Sequence, residues 1–395
     1  MNSKLKLNIV FLFFLCIAFV LSACMDEKDA GLPVLKDQRS IVDQNKACKI
    51  FNDSIDWIVE PNLYAKNFKI KSHSNYDVLE VYTGTDTNYY AKGNSDSLKL
   101  FCPKYQWLKD RSQKIIVLSS IYLPYFSALN LEPLVIGLAN GKWIHNNTFK
   151  AMIHQFQVKD LGPYQQIKVE ELIKLKADII IDFNNIGNEI PAIKKAKELH
   201  QRVLQTNTWQ EKHPLARSEW IKVIGWLTKR SERANDKFNV IVKKYNDLKV
   251  PKDQIKIIKK IIVADPYDGE WFVPGQESYM ATMIKDAAGD YLIKKGESGS
   301  VALKKEEGLL LGLDSDIWIN IFNFKSKKDI GRPFSELGAV KKNQLWSATK
   351  RQNENGGNDF YESGVLRPDL ILKDLRSIFY PKEYQDELYF YEKLK

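Results

Sequence analysis

Six aromatic side chains, Trp143, Tyr164, Phe183, Trp271, Phe272 and Phe360, sit where this sequence is best placed to hold a ligand. With Tyr361 they fall in or beside loops expected to follow buried strands. A single ring in such a loop usually plugs the edge of a core. Rings at corresponding loops in two halves of a chain point instead to a cleft lined for a large, partly apolar ligand. Turnover has less support. The sequence holds no nucleophile elbow, no His-Glu-x-x-His and no Walker or dinucleotide glycine loop. His73, His145, His154, His200 and His213 include no i, i+4 pair that would form a helical metal face. Carboxylates are plentiful, as a glycosidase acid–nucleophile pair would need, yet no spacing singles out two. The expectation is a binding protein with no catalytic residues and no resident metal or cofactor. An envelope carbohydrate-active hydrolase and a surface lipoprotein that scavenges without a transporter are the alternatives.

A helical tract near the centre must position these loops. Glu219 to Lys229 and Ser231 to Leu248 read as two helices with a short break. In the second, Ala234, Phe238, Ile241 or Val242, Tyr245 and Leu248 form one apolar stripe at the 3.6-residue period. Ser231 is the expected N-cap, and Pro251 marks the stop. Eighteen helical residues reach about 27 Å, long enough for a rigid strut. Similar patterns flank it on both sides: a buried strand, a polar-aromatic loop, an amphipathic helix, then an acidic pair before another apolar strand. Ahead of the strut, Ile115–Leu118, Leu134–Gly137 and Asp178–Ile181 read as strands covered on both faces. Beyond it, Ile257–Ala264 and Asp316–Asn320 do the same, with Asp265–Ser278 expected to be a loop. The fold class is therefore α/β, with two lobes of mainly parallel central sheets bridged by one long α-helix. Alternating runs at Phe68–Lys71 and Val78–Tyr82, separated by Gly, Asp and Asn turns, add a small N-terminal β extension.

The 395 residues accommodate two such lobes with full cores. The net charge of +10 comes mostly from lysines that alternate with Asp and Glu. A solvated surface is expected, not the basic, aromatic-interleaved stripe of a nucleic-acid binder. Lys4 and Lys6 followed by the apolar run Ile9–Val20 form a targeting segment. Leu21-Ser22-Ala23-Cys24 has the form of a bacterial lipobox, which makes Cys24 the lipidated N-terminus of the mature chain. The expected division is a signal peptide at 1–24, a tether at 25–45, an N-terminal lobe with its β extension at 46–230, a bridging helix at 231–250 and a C-terminal lobe at 251–395. The chain is expected in the bacterial cell envelope, lipid-anchored, either periplasmic or surface-exposed. Cys48 and Cys102 remain in that oxidising setting, and a disulfide and two buried thiols both stay open.

Several segments then carry a resemblance. Lys114-Ile115-Ile116-Val117-Leu118-Ser119, Val135-Ile136-Gly137, the run from Val169 to Asp178, and Pro274-Gly275-Gln276-Glu277-Ser278 follow one another in a telling order and spacing. The pattern resembles the class III substrate-binding proteins of ABC importers, the family that binds cobalamin and ferric siderophores. His213-Pro214-Leu215-Ala216-Arg217-Ser218-Glu219-Trp220 and the run from Glu362 to Asp369 resemble its lipoprotein members. Ala177 stands where the family usually has proline. The resemblance spans about residues 112 to 380. It implies two lobes joined by one long helix, a monomeric receptor for a ferric siderophore, corrinoid or haem, and a permease dimer with its ATPase as partner. It also implies a surface glutamate on each lobe that docks onto permease arginines, Glu170 in the first and Glu306 or Glu307 in the second. By the same carry-over, the ligand contacts of cobalamin-binding relatives fall on Tyr164, Phe183, Phe272 and Asp359, the last accepting hydrogen bonds from amides. One tryptophan of those relatives has no counterpart near Ser300 or Val301, and an arginine is Ser363 here. A siderophore or haem would draw on Lys142, Trp143 and Arg332.

Overall fold

The computed structural model describes residues 46–84, 86–183, 189–267 and 270–395. The expected signal segment, Cys24 and the tether lie outside the described residues. Among those described, no helix is long and apolar enough to cross a membrane. The chain divides into two compact units, one made of residues up to Trp57 with Asn94–Tyr105, the other of Ile58–Gly93 with Gln106–Lys395.

In the smaller unit a helix over residues 46–53 and the helix Asp96–Phe101 are joined by a disulfide between Cys48 and Cys102, whose Cα atoms are 4.7 Å apart. The bridge is thus the arrangement the two cysteines take. Ser95 caps the second helix by accepting the Leu98 amide at 3.1 Å, and Phe51 stacks on Phe101.

The larger unit opens with a five-stranded sheet in sequential order: β1 (Ile58–Glu60), β2 (Phe68–His73), β3 (Tyr76–Thr83), β4 (Asp86–Gly93) and β5 (Gln106–Trp107). The first four strands pair antiparallel and the fifth parallel, so the expected extension is a full sheet. Two buried glutamates bind its β1–β2 loop to the helices ahead of the strut. Glu219 accepts the amides of Leu63, Tyr64 and Ala65, each at 2.8 Å, and Glu211 those of Lys66 and Asn67.

The first lobe is an all-parallel sheet ordered β10-β9-β6-β7-β8, from β6 (Ile115–Val117), β7 (Val135–Leu138), β8 (Lys159–Asp160), β9 (Ile179–Phe183) and β10 (Val203–Thr206). Its central strand β6 is apolar along its whole length because helices cover both faces. Ile115, Val117, Ile179 and Ile181 face one core, while Ile116, Leu118 and Ile180 face another with Leu172 and Ile193. The second lobe repeats the plan with β11 (Lys260–Val263), β13 (Asp290–Tyr291) and β15 (Ile317–Ile319), parallel in the order β13-β11-β15. An aspartate before a strand registers each sheet. Asp178 accepts the amides of Gln113 and Lys114, and Asp316 accepts that of Lys260. Burial pushes both carboxyls up, but lysine partners (Lys109, Lys342) and the bound amides hold them below the usual range.

The strut is the helix Ser231–Asn246, preceded by Ile221–Thr228. Lys229, left-handed at φ 56°, makes the break. Ser231 is the first helical residue and not the cap; Arg230 holds that position without a side-chain bond. Ala234, Phe238, Ile241 and Tyr245 are buried as expected, against the preceding helix and against Pro368–Phe379. The expected loop at 265–278 is partly wrong. Glu270–Pro274 (β12) pairs antiparallel with Ser300–Lys304 (β14), a two-stranded ribbon outside the parallel sheet. One apolar core runs through the extension, the strut and both lobes.

Candidate functional site

Ligands of open parallel sheets bind beyond the carboxyl ends of the strands, where the strand order reverses. Here the reversals fall between β6 and β9 and between β11 and β15. At the first, Asp182 near the end of β9 is 1 % exposed and accepts the Tyr164 hydroxyl at 3.1 Å. Burial pushes the Asp182 carboxyl up to about 7, against the pull of the Tyr164 bond. Tyr164 itself is 6 % exposed, so this expected ligand contact is core; its ring lies 4.9 Å from half-buried Phe183 and packs the loop after β8 against the end of β9. Thr206 at the end of β10 donates to the Asp182 carbonyl and shares a hydrogen bond with the Tyr122 hydroxyl. At the second reversal, Ala264 and Asn320 close their strands with left-handed φ of 61° and 56°. Between them Asp265, 7 % exposed, accepts the amides of Phe322 and Asn323. Tyr361 packs on Phe322, and both rings keep exposed surface.

The remaining sequence candidates separate. Trp271 is a correction. On β12 the side chains alternate, so Trp271 and Val273 point inward while Phe272 points outward. Trp271 is 0 % exposed, donates to the Val263 carbonyl and packs on Trp318, which makes it core and not lining. Gly308 lies so close against that ring that a Cβ there would collide with it. Phe272, 53 % exposed, keeps its face free. Phe360 is also core, at 3 % exposure among Tyr361, Phe390 and Tyr391. Asp359 is buried and committed to Arg351 at 2.6 Å, with His145 at 3.6 Å. Trp143, 47 % exposed, sits in the turn after β7 beside Lys142. Arg332 is exposed. Among the described residues no ring contact joins Tyr164 and Phe183 to Phe272.

A second tie between the lobes joins residues that carry no local pairing signal. Glu362 accepts the amides of His145 and Asn146, and the Asn353 side chain donates to the Ile144 carbonyl. Gly357 abuts the Trp143 carbonyl so closely that no Cβ would fit. Sequence reading also missed Arg217, half-buried with its guanidinium 4.2 Å from the Tyr279 ring. The His213–Trp220 motif was the available signal. Within it His213 caps the helix Pro214–Glu219 through the Leu215 amide, Ser218 donates to the Val365 carbonyl, and Glu219 holds the β1–β2 loop.

The candidate docking glutamates fall into one repeated arrangement. Glu170 and Glu171 open the helix Val169–Lys174, and Glu306 and Glu307 open the helix Lys305–Gly312, each behind a lysine at the N-cap. In both, the second glutamate bridges a lysine: Glu171 with Lys159 at 3.7 Å, Glu307 with Lys295 at 2.7 Å. Glu170 and Glu306 are exposed and enter no ion pair among the described residues.

Comparison with known proteins bears on this architecture. Residues 115–309 match the family model described as periplasmic binding protein. The uncharacterized lipoprotein MJ0878 of Methanocaldococcus jannaschii is 23 % identical over 412 residues, covering 96 % of this chain and 94 % of that protein. A crystal structure described as a possible iron-binding (periplasmic solute-binding) protein from Staphylococcus epidermidis superposes with a TM-score of 0.55 at 18 % identity, covering 68 % of this chain and 99 % of the other. An ABC transporter substrate-binding protein from Listeria monocytogenes superposes with a TM-score of 0.53 at 15 % identity, covering 69 % and 100 %. The expected two-lobe α/β fold is therefore the one observed. Residues 115–309 thus carry the pattern of the periplasmic binding proteins, and the chain shares the two-lobe fold of the solved structures named above.

Proposed function

We propose that this chain is the lipid-anchored receptor of an ABC importer, attached through Cys24, which captures a metal-chelate nutrient between its lobes and delivers it to a permease. The observation that carries the reading is the repeated pair of exposed, unpaired glutamates, Glu170 and Glu306, at equivalent positions of the two lobes. Two separated carboxylates of this kind orient a protein on a two-fold basic surface and speed its encounter with it. The repeat also favours Glu306 over Glu307, which is engaged by Lys295.

Half-buried Phe183, backed by buried Tyr164, on one lobe and the exposed rings Phe272, Phe322 and Tyr361 on the other suit a large and partly flat ligand. Among the described residues no three His, Cys, Asp or Glu converge to hold a metal ion, so a metal cargo would bring its own ligands. Iron appears in the description of the Staphylococcus neighbour, transport in that of the Listeria neighbour, and lipoprotein in the name of the Methanocaldococcus relative. Native mass spectrometry of the full chain in detergent, as purified and with cobalamin, cobinamide, haem and ferric siderophores, tests the reading. A one-to-one complex with quenched tryptophan fluorescence is expected. Binding of none of them would shift the ligand class to sugars or peptides.

A further inference from the structure

Arg217 differs from three other partly buried arginines of the chain. Arg351, Arg367 and Arg376 each grip an aspartate, at 2.6, 2.8 and 2.7 Å. The Arg217 guanidinium enters no ion pair among the described residues, and its enclosed Nε has no hydrogen-bond partner. The nearby carboxylates are spent elsewhere: Glu211 and Glu219 on the β1–β2 loop, Asp265 on the Phe322 and Asn323 amides. A guanidinium drawn partly out of water without an anion is costly to maintain, and it gains by meeting one.

Its place in the fold indicates where that anion would come from. Arg217 lies on the short helix Pro214–Glu219, between the two lobes. Its carbonyl accepts the Tyr125 hydroxyl of the first lobe at 2.7 Å, and its guanidinium faces Tyr279, which opens the first helix of the second. A small cavity beside it, lined also by Pro214, Phe360 and Val365, has room for about one water-sized oxygen. The positive charge also reaches Tyr122, Tyr125 and Tyr361, restraining the rise that burial imposes on their phenols.

We propose that Arg217, backed by the Tyr279 ring, is the anion-recognising contact of the cleft, and that the chelate carried is anionic, bearing carboxylate or catecholate oxygens. This rests on the receptor reading above and narrows it. A planar guanidinium forks onto such oxygens with two parallel bonds, whereas a neutral chelate offers it no counter-charge.

The test is a fluorescence titration of the full chain in detergent with ferric dicitrate, haemin, a ferric tris-catecholate and a neutral ferric tris-hydroxamate. Wild type is expected to prefer an anionic probe, and R217Q to weaken that probe by about 30-fold while leaving the neutral one unchanged. R217K, which keeps the charge but not the fork, retains the preference at about tenfold lower affinity. Wild-type affinity of R217Q for the anionic probe would overturn the proposal, as would a wild-type preference for the neutral chelate. Equal loss of both classes in R217Q and R217K would assign Arg217 to folding instead. If wild type binds none of the four, the receptor reading for metal chelates falls, and this inference with it.

Discussion

The Glu362 carboxylate of the second lobe holds the Asn146 amide of the first at 2.7 Å, and the neighbouring His145 amide at 2.9 Å. Burial pushes this carboxyl from 4.5 up to about 7, although the two amides pull it down. Between those values the folded chain keeps a proton that the unfolded chain has released. Stability must therefore fall as pH rises through that window. Urea unfolding should show a more stable protein at pH 5 than at pH 8. E362Q should flatten the difference by on the order of 2 kcal/mol. An unchanged slope in E362Q would assign the effect to other groups, Asp182 first among them.

The two exposed glutamates separate docking from capture. The double variant E170A/E306A should reduce uptake in cells by roughly tenfold or more while ligand affinity stays within about twofold. E307A alone removes a partly exposed pair with Lys295 and should change uptake little. Loss of ligand binding in the double variant would count against a docking role.

Trp271 and Phe272 are adjacent but face opposite ways on one strand. W271A empties a site against Trp318 and Gly308 and should cost about 3–5 kcal/mol in denaturant unfolding. F272A should leave stability within about 0.5 kcal/mol and instead weaken the ligand by roughly fivefold. The reverse assignment would put Phe272 in the core of a different register.

Cys48 and Cys102 are 54 residues apart, and the bridge restrains the unfolded chain across that loop. Reducing agent should lower stability by about 2–4 kcal/mol in wild type and leave a C48S/C102S variant unmoved. A reductant effect of the same size in both would place the loss elsewhere.

The strut, the parallel strands and the two lobes were legible because their signals are local. Ala234, Phe238 and Tyr245 mark a helical face, and Ile115–Val117 marks a strand covered on both sides. The pairing of Glu270–Pro274 with Ser300–Lys304 was missed, since the partner strand lies across an intervening helix and the alternation around Trp271 is short. Without that pairing, an inward tryptophan and an outward phenylalanine look alike. Asp359 was legible as an acceptor, but nothing local showed that Arg351 claims it. Arg217 was quoted within a motif, but its lack of a partner is visible only when every nearby carboxylate has been traced to its own donor.

Glu170 and Glu306 begin corresponding helices of separate lobes. Neither can move without carrying its lobe, so the distance between the two carboxylates is a calliper reading of the cleft. The strut and the Glu362 tie both join the lobes, so any change in that reading works against them. For a permease that engages both groups, an empty and a filled receptor would differ by a small change in a single length. Its discrimination between them would then depend on how rigidly its own basic residues are spaced.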